Sequence, residues 1–195
     1  MKLFQSEITK EEVAALELIQ YEGPITVIET EDEFLEEIEA ISSHSILGFD
    51  TETRPSFKKG NFYPTSLIQL SAPDHAWLVR VSRLGYPAGL LNLLSDHEVI
   101  KVGSGLSDDL RRIRSDFQFE PGGFLDLQHY VEAFHIWEKG LKKLSSIVLG
   151  HRISKSQQVS NWDADTLTEA QLRYAATDAW ICLKIYNELR NALYK

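Results

Sequence analysis

The sequence predicts an α/β domain in which a mixed β-sheet is flanked by α-helices. Short apolar strands come first, strands and helices then alternate, and the chain ends in a long amphipathic helix. The length of 195 residues suits one domain with a full core, and 43% hydrophobic with 25% charged residues is typical of a globular protein. We therefore predict one domain over residues 1–195, with a lead-in over 1–22 and a core over about 25–192.

The N-terminal half predicts two helices and four strands. Residues 46–51 are almost continuously apolar, which indicates a buried, central strand. Residues 30–41 have apolar side chains at helical spacing and acidic residues near their start, where the helix dipole favours them. The predicted elements are a helix over 10–19, a strand over 25–28, a helix over 30–41, a strand over 46–51 and a hairpin of 65–71 with 76–81.

The C-terminal half predicts strands that alternate with helices. Its last helix has the clearest signal, since an apolar stripe keeps helical phase from Leu172 to Leu193. Thr166 with Glu169 forms a capping box for its start, and Thr168 with Gln171 offers an alternative. The preceding elements are a helix over 90–94, a strand over 99–102, a helix from 106, a strand over 124–126 and helices over 127–135 and 141–149.

An acidic pair lies on the strand predicted to be buried. Asp50 and Glu52 are two residues apart, so their side chains share one face of the strand. Two like charges about 4 Å apart repel by roughly 4 kcal/mol at an effective dielectric constant near 20. A shared proton or a bound cation between the carboxylates would relieve this repulsion. The alternative is a strand end whose acids face water.

Further acidic residues follow other apolar segments. Asp109 lies in the first turn of a helix, where the dipole favours an acid whatever its function, and the adjacent Asp108 could take the same role. Tyr174 and Asp178 are one helical turn apart and therefore share a face of the last helix. On a helical wheel that face flanks the apolar stripe. We therefore predict that Asp178 lies at the margin of the contact between the helix and the sheet.

Three motifs occur in the order of a known family. Phe49–Glu52, Lys101–Leu110 and Tyr174–Asp178 resemble the three motifs of the DnaQ-like 3′–5′ exonucleases of the DEDDy type, nearest the ribonuclease D and Werner-type exonuclease domain branch. The resemblance implies a ribonuclease H-like fold and metal-dependent hydrolysis of phosphodiester bonds at the 3′ end of DNA or RNA. The position five residues before the last acid is Arg173 rather than histidine, which favours the tyrosine-type branch.

The resemblance also implies roles for the motif residues. Asp50, Glu52, Asp109 and Asp178 would hold two Mg²⁺ or Mn²⁺ ions per site, with Asp50 between them. Tyr174 would orient the attacking water, because a phenol with an ordinary pKa near 10 is a weak base at neutral pH. These five residues are therefore the predicted catalytic set.

Substrate binding is predicted at residues around these motifs. Aromatic and basic residues of the loop after the first motif could stack a terminal base beside phosphate contacts. Alternatively, the aromatic residues of that loop, which include Phe62 and Tyr63, pack on their own stem. The predicted substrate-binding residues are Thr51, Leu106, Phe57, Lys58, Lys59, Asn161 and Trp162.

The charge of the chain bears on its partners. A formal net charge of −9 is unusual for a protein that holds nucleic acid by neutralising phosphates. Two divalent cations would offset about four of those charges, and basic residues cluster after the acidic motifs. The predicted partner is a nucleic acid, single-stranded, with a free 3′ end, and no membrane. No nucleic-acid-binding domain follows residue 195, which predicts an accessory protein for targeting.

The remaining expectations concern location and rival functions. Cys182 is the lone cysteine and the N-terminus lacks the apolar run of a signal peptide, so a cytoplasmic setting is expected. A non-cleaving nucleic-acid-binding adaptor is the main alternative function. Gly103-Ser-Gly105 after a strand also permits a dinucleotide-binding interpretation, although Asp108 replaces the third glycine of that motif. The sequence leaves the choice between DNA and RNA open.

Overall fold

The computed structural model describes residues 3–56 and 63–193. Within these residues it contains a six-stranded mixed sheet in the order β1-β4-β3-β2-β5-β6. Strand β3 is antiparallel to both of its neighbours, and all other neighbouring strands are parallel. The predicted mixed sheet is confirmed. Its strands are β1 (Ile25–Ile28), β2 (Ile46–Thr53), β3 (Thr65–Ser71), β4 (Ala76–Val79), β5 (Ile100–Gly103) and β6 (Phe124–Asp126).

Helices cover both faces of this sheet, each with its own hydrophobic core. No helix in the described part of the chain is long and apolar enough to cross a membrane. The helices are α1 (Lys10–Ala15), α2 (Glu31–Ser42), α3 (Val81–Leu84), α4 (Ala88–Ser95), α5 (Leu106–Asp116), α6 (Leu127–Tyr130), α7 (Leu141–Leu149) and α8 (Glu169–Ala192).

Two helices differ from the sequence-based prediction. The helix predicted over 127–135 is α6 followed by a 3-10 turn, Val131–Phe134, which ends where His135 adopts a left-handed conformation with φ 58°. The first helix ends at Ala15 rather than at residue 19. The chain is extended after it because the Ile19 amide donates a hydrogen bond of 2.9 Å to the Arg152 carbonyl oxygen. A tertiary contact therefore overrides the local helical pattern.

The N-terminal segment, predicted as a lead-in over residues 1–22, packs on the rest of the domain wherever it is described. Ile8, Val13 and Tyr21 are buried. The Tyr21 amide donates to the Thr177 hydroxyl at 3.0 Å, and the Arg173 guanidinium donates to the Tyr21 carbonyl oxygen at 3.4 Å. These contacts tie the segment to α8, so the folded unit begins before residue 25.

Helix α8 lies unusually close to the central strand β2. It starts with a capping box of Thr168 and Gln171, which was the alternative of the two predicted boxes. A Cβ atom at Gly48 would lie 1.9 Å from the Ala179 carbonyl oxygen, so only glycine allows this approach. As a result Asp178 is only 6% exposed. Asp178, predicted at the margin of the helix–sheet contact, lines a cleft and is almost fully buried, because the helix lies closer to the sheet than its own pattern indicates.

Candidate active site

A cleft of about 350 Å³ opens at the C-terminal end of β2. It lies between this strand, the start of α7, the segment of residues 153–158 and the first half of α8. Three predicted metal ligands and the predicted catalytic tyrosine line it together. The lining residues are Asp50, Thr51, Glu52, Thr53, Ser104, Arg112, Leu141, Lys142, Ile153, Ser154, Lys155, Gln158, Tyr174 and Asp178.

The acidic pair of β2 forms the floor of the cleft. Burial raises the pKa of Asp50 well above its ordinary value, and the charges of Asp178, Asp109 and Glu52 raise it further. Burial, followed by the charges of Asp178 and Asp109, raises the pKa of Glu52 to about 9. Each carboxylate is therefore within electrostatic reach of the others. Acids that are up to 128 positions apart in the chain converge, as the motifs predict.

Asp178 and Tyr174 face the floor from α8. Burial raises the pKa of Asp178 to about 7, although the Tyr174 hydroxyl donates a hydrogen bond to its carboxylate and the Lys155 ammonium attracts it. Burial and the negative charge of Asp178 raise the pKa of Tyr174. The phenol therefore stays protonated at neutral pH and can hold a water or a carboxylate by hydrogen bonding.

Asp109 approaches the floor from α5, behind Thr51. The Thr51 hydroxyl donates a hydrogen bond of 2.5 Å to the Asp109 carboxylate. Burial raises the pKa of Asp109, and the hydrogen bond from Thr51 and the charge of Arg112 oppose this effect. The neighbouring Asp108 is 71% exposed and pairs with Arg111 at 2.8 Å. Asp109, and not Asp108, therefore lies beside the cleft, in contact with Thr51 of its lining.

The turn before α5 is held by an acid that the sequence analysis did not identify. The amides of Gly105 and Leu106 each donate to the Asp126 carboxylate at 2.9 Å. Gly105 has φ 79°, a left-handed conformation that glycine adopts without strain. Because Asp126 occupies these amides, they are not free to hold the phosphates of a dinucleotide. The arrangement argues against the dinucleotide-binding interpretation and fixes the turn that carries Asp109.

The donor set of the cleft suits hard divalent cations. Its four carboxylates offer only oxygen ligands, as Mg²⁺ and Mn²⁺ prefer, and buried like charges are costly unless a cation compensates them. Gln69 lies opposite Asp50 in the β2–β3 pair, is fully buried, and has no hydrogen-bond partner for its amide among the described residues. In the same part of the chain, no three His, Cys, Asp or Glu side chains meet closely enough to form a complete cage. The carboxylates surround a cleft rather than a single point.

The predicted substrate-binding residues are placed in different environments. Thr51 lines the cleft. Leu106 is 3% exposed and Trp162 is fully buried, with its ring 6.0 Å from that of Tyr174. Asn161 is exposed and accepts a hydrogen bond from the Asp163 amide. Phe57, Lys58 and Lys59, like Phe62, lie outside the described residues. Substrate binding by these residues stays a prediction.

Several residues of the cleft carried no clear signal in the sequence. Arg112 is one helical turn after Asp109, so the helical period could have indicated it. Ser104, Lys142 and Lys155 reach the cleft through tertiary packing alone. Asp126 ends a short strand, and only the structure shows that it faces the start of α5.

Comparisons with known proteins agree with this geometry. A family model described as 3′–5′ exonuclease matches residues 25–194. The mouse (Mus musculus) exonuclease 3′–5′ domain-containing protein 2 is 36% identical over 156 residues, which are 74% of this chain and 24% of that protein. The mouse bifunctional 3′–5′ exonuclease/ATP-dependent helicase WRN is 32% identical over 77% of this chain and 11% of its own length.

Solved structures show the same fold. The Nibbler EXO domain of Aedes aegypti has a TM-score of 0.79 and 27% identity, and covers 92% of this chain and 93% of that one. Escherichia coli RNase D has a TM-score of 0.74 and 26% identity over 87% of this chain and 46% of its own. The chain spans about a quarter or less of the two mouse relatives. The match over residues 25–194 shows that this chain belongs to the 3′–5′ exonuclease domain family.

Proposed function

We propose that the chain is a divalent-metal-dependent exonuclease that releases nucleotides from the 3′ end of a nucleic acid strand. The observation that carries this proposal is the convergence of Asp50, Glu52, Asp109 and Asp178 from three separate elements onto one cleft. Burial, followed by the charges of Asp178 and Asp109, raises the pKa of Asp50 and of Glu52, so their ionised forms are unfavourable unless cations bind. Family membership supports the polarity, because the family is that of 3′–5′ exonucleases.

Asp50, Glu52 and Asp178 would hold one ion, and Asp50 and Asp109 would hold the other. Two such ions, Mg²⁺ or Mn²⁺, would supply an activated water and would stabilise the charge of the leaving oxygen. The hydrogen bond from Thr51 keeps the Asp109 carboxylate directed towards β2. The four acids therefore form a pre-positioned donor set on rigid elements rather than on loops.

Tyr174 would orient the attacking water. Its hydroxyl is bonded to Asp178, and its ring packs beside the buried indole of Trp162. Because its pKa is raised, it donates a hydrogen bond and does not act as a base. Asp178 and Tyr174 thus place the water on the α8 side of the scissile phosphate.

The substrate proposed is single-stranded nucleic acid with a free 3′ end. Arg112, Lys142 and Lys155 line the cleft and offer contacts to phosphate oxygens, which position a strand without reading its sequence. A non-cleaving adaptor is not favoured, since all four predicted metal ligands are present: Asp50, Glu52 and Asp178 line the cleft, and Asp109 accepts a hydrogen bond from Thr51 in its lining.

The test is the shortening of a 5′-end-labelled single strand in the presence of Mg²⁺ or Mn²⁺. We expect a ladder of products from the 3′ end, and no shortening with excess chelator. Asp50→Asn should lower the rate by roughly 10³-fold or more, as expected for loss of a ligand shared by both ions. Asp74→Asn is the matched control, because Asp74 is exposed in the turn between β3 and β4, at the end of the sheet opposite to the cleft.

Two outcomes would contradict the proposal. Undiminished shortening in chelator would exclude metal-assisted chemistry, and binding of the strand without any shortening would favour the adaptor. Matched DNA and RNA strands at one salt concentration would then establish which sugar is accepted, since contacts to the 2′-hydroxyl decide that choice.

A further inference from the structure

Three cationic side chains line the cleft: Arg112, Lys142 and Lys155. In residues 3–56 and 63–193, none of them forms an ion pair with a carboxylate at hydrogen-bonding distance. They lie in different parts of the cleft, since Lys155 acts on Asp178 whereas Arg112 acts on Asp109. The row of acids therefore has a cation near each end.

Arg112 is fixed at the Asp109 end by its own helix and by a neighbouring strand. It follows Asp109 by one turn of α5, and its Nη1 atom donates to the Thr53 hydroxyl at 3.3 Å. Thr53 is the last residue of β2, directly beyond the acidic pair. Most of the donors of the guanidinium thus remain available to a ligand at the edge of the cleft.

A second hollow continues from the cleft past Arg112. It has a volume of about 400 Å³, and Arg112 lines both hollows. Its other walls are Tyr63, Pro64, Arg111 and Ser115, together with the two acids Asp108 and Asp116. The Arg54 guanidinium lies 5.2 Å from the centre of the Tyr63 ring. Aromatic rings beside basic groups are typical of surfaces that bind single strands without sequence preference.

In-line displacement assigns a direction to the strand. The leaving oxygen departs on the side opposite to the attacking water, and the proposed function places that water beside Tyr174. The leaving oxygen is the 3′-oxygen of the second nucleotide from the end. The part of the strand that is retained therefore lies away from Tyr174, at the end of the cleft that holds Asp109 and Arg112.

We propose that Arg112 binds the first phosphate upstream of the scissile phosphodiester, and that the retained strand leaves the cleft past it towards Tyr63. This inference rests on the proposed function for the direction of the strand. An arginine suits the role because its planar guanidinium forms two parallel hydrogen bonds to phosphate oxygens while it keeps its contact to Thr53.

Binding is measured first, in chelator, so that no cleavage occurs. Fluorescence anisotropy of a labelled single strand should show roughly 10-fold weaker binding for Arg112→Gln than for the unmodified protein. The slope of log affinity against log salt concentration should fall by about 0.7, the value of one phosphate contact on a single strand. Arg114→Gln is the control, because Arg114 lies on the same helix, is half-exposed and lines neither hollow.

The position of the contact is measured next with strands that carry one neutral methylphosphonate. With the unmodified protein, neutralising the first upstream phosphate should slow cleavage at the 3′ end by roughly 10-fold. With Arg112→Gln the same strand should be cleaved almost as fast as the unmodified strand, because the side chain that binds that phosphate has already been removed. A substitution with a purely structural effect would instead slow all strands by the same factor.

Each result has a clear meaning. The inference would be overturned if Arg112→Gln and Arg114→Gln bound the strand with equal affinity and equal salt slope. It would also be overturned if the methylphosphonate at the first upstream position slowed Arg112→Gln by the same factor as it slows the unmodified protein. If Arg112→Gln weakens binding as expected but the unmodified protein cleaves no strand, the proposed exonuclease function is refuted instead. The two failures are thereby distinguished.

Discussion

Two groups of buried charged residues lie at the same end of the sheet, and their charges are compensated in opposite ways. Strands β2 and β4 run in the same direction on either side of β3, so the acids of β2 and the arginine that follows β4 lie at the same end of the sheet. Arg80 is 1% exposed, and its guanidinium donates to the Glu29 carboxylate at 2.5 Å, to the Asp165 carbonyl oxygen at 3.1 Å and to the Ala164 carbonyl oxygen. Only its Nε atom has no partner in the described part of the chain.

The acids of the cleft are compensated less fully. Burial, followed by the charges of Asp178 and Asp109, raises the pKa of both Asp50 and Glu52. Within the described residues no cation forms an ion pair with the acids that line the cleft. Arg80 is therefore a structural charge that holds the turn before α8, whereas the acids form a site that needs an external cation. The difference predicts that substitutions at Arg80 reduce stability and that substitutions of the acids reduce activity.

The largest expected effect is that of Asp178→Asn on catalysis. Loss of one ligand carboxylate should lower kcat/KM by roughly 10³-fold or more, while the neutral amide still fills the space beside Tyr174. The free energy of unfolding in chelator should be unchanged or higher, because one repelling charge is removed. Initial rates on a labelled strand and urea unfolding test both parts. A large loss of stability would show that Asp178, like Arg80, is a structural charge.

The next effect is that of Arg80→Ala on stability. The substitution removes the buried guanidinium and leaves the Ala164 carbonyl oxygen without its donor, while Arg83 still contacts the Glu29 carboxylate and the Asp165 carbonyl oxygen. The loss should cost about 3 kcal/mol of unfolding free energy. Arg83→Ala is the control, because Arg83 is 36% exposed and its ion pairs should contribute at most about 1 kcal/mol. Urea unfolding at neutral pH measures both. Equal values for the two variants would show that burial of Arg80 has no stabilising consequence.

The contrast between these groups also explains what the sequence predicts well. Asp50 and Glu52 were placed correctly because the period of a strand is local and puts both on one face. The order of strands and helices follows from equally local patterns. The three motifs also predicted that Asp109 and Tyr174 lie near this pair, as the structure has them.

Other features depend on residues that are distant in the chain. Asp178 is buried because Gly48, far away in sequence, has no side chain. Arg80 is buried because the turn at residues 164–165 supplies its acceptors. Lys155 reaches the cleft only through the packing of α7 and α8. Such contacts are set by tertiary structure and leave no periodic signal in the sequence.

A divalent cation should stabilise the acids and leave the Arg80 group unaffected. With Mg²⁺ or Mn²⁺ at 100 times its dissociation constant, the free energy of unfolding should rise by about 2.7 kcal/mol. Asp178→Asn should lose most of this increase, and Arg83→Ala should keep it. Thermal unfolding across a range of metal concentrations is the measurement. An equal increase in Asp178→Asn would mean that the cation binds elsewhere.

The smallest expected effect is the dependence of stability on pH in chelator. The folded-state pKa of Glu52 is raised to about 9, so the folded protein keeps a proton that the unfolded chain loses above pH 4.5. Its contribution to stability is therefore complete below pH 4.5 and is lost as pH rises towards 9. Glu52→Gln should remove this loss, so its stability relative to the unmodified protein should increase steadily from pH 5 to pH 8. The gain should be well below the ~1.4 kcal/mol per pH unit of a full proton, because the cleft is open to water and the acids share their protons. Urea unfolding of both proteins across this range is the measurement, and a constant difference would show that Glu52 ionises as freely in the folded protein as in the unfolded chain.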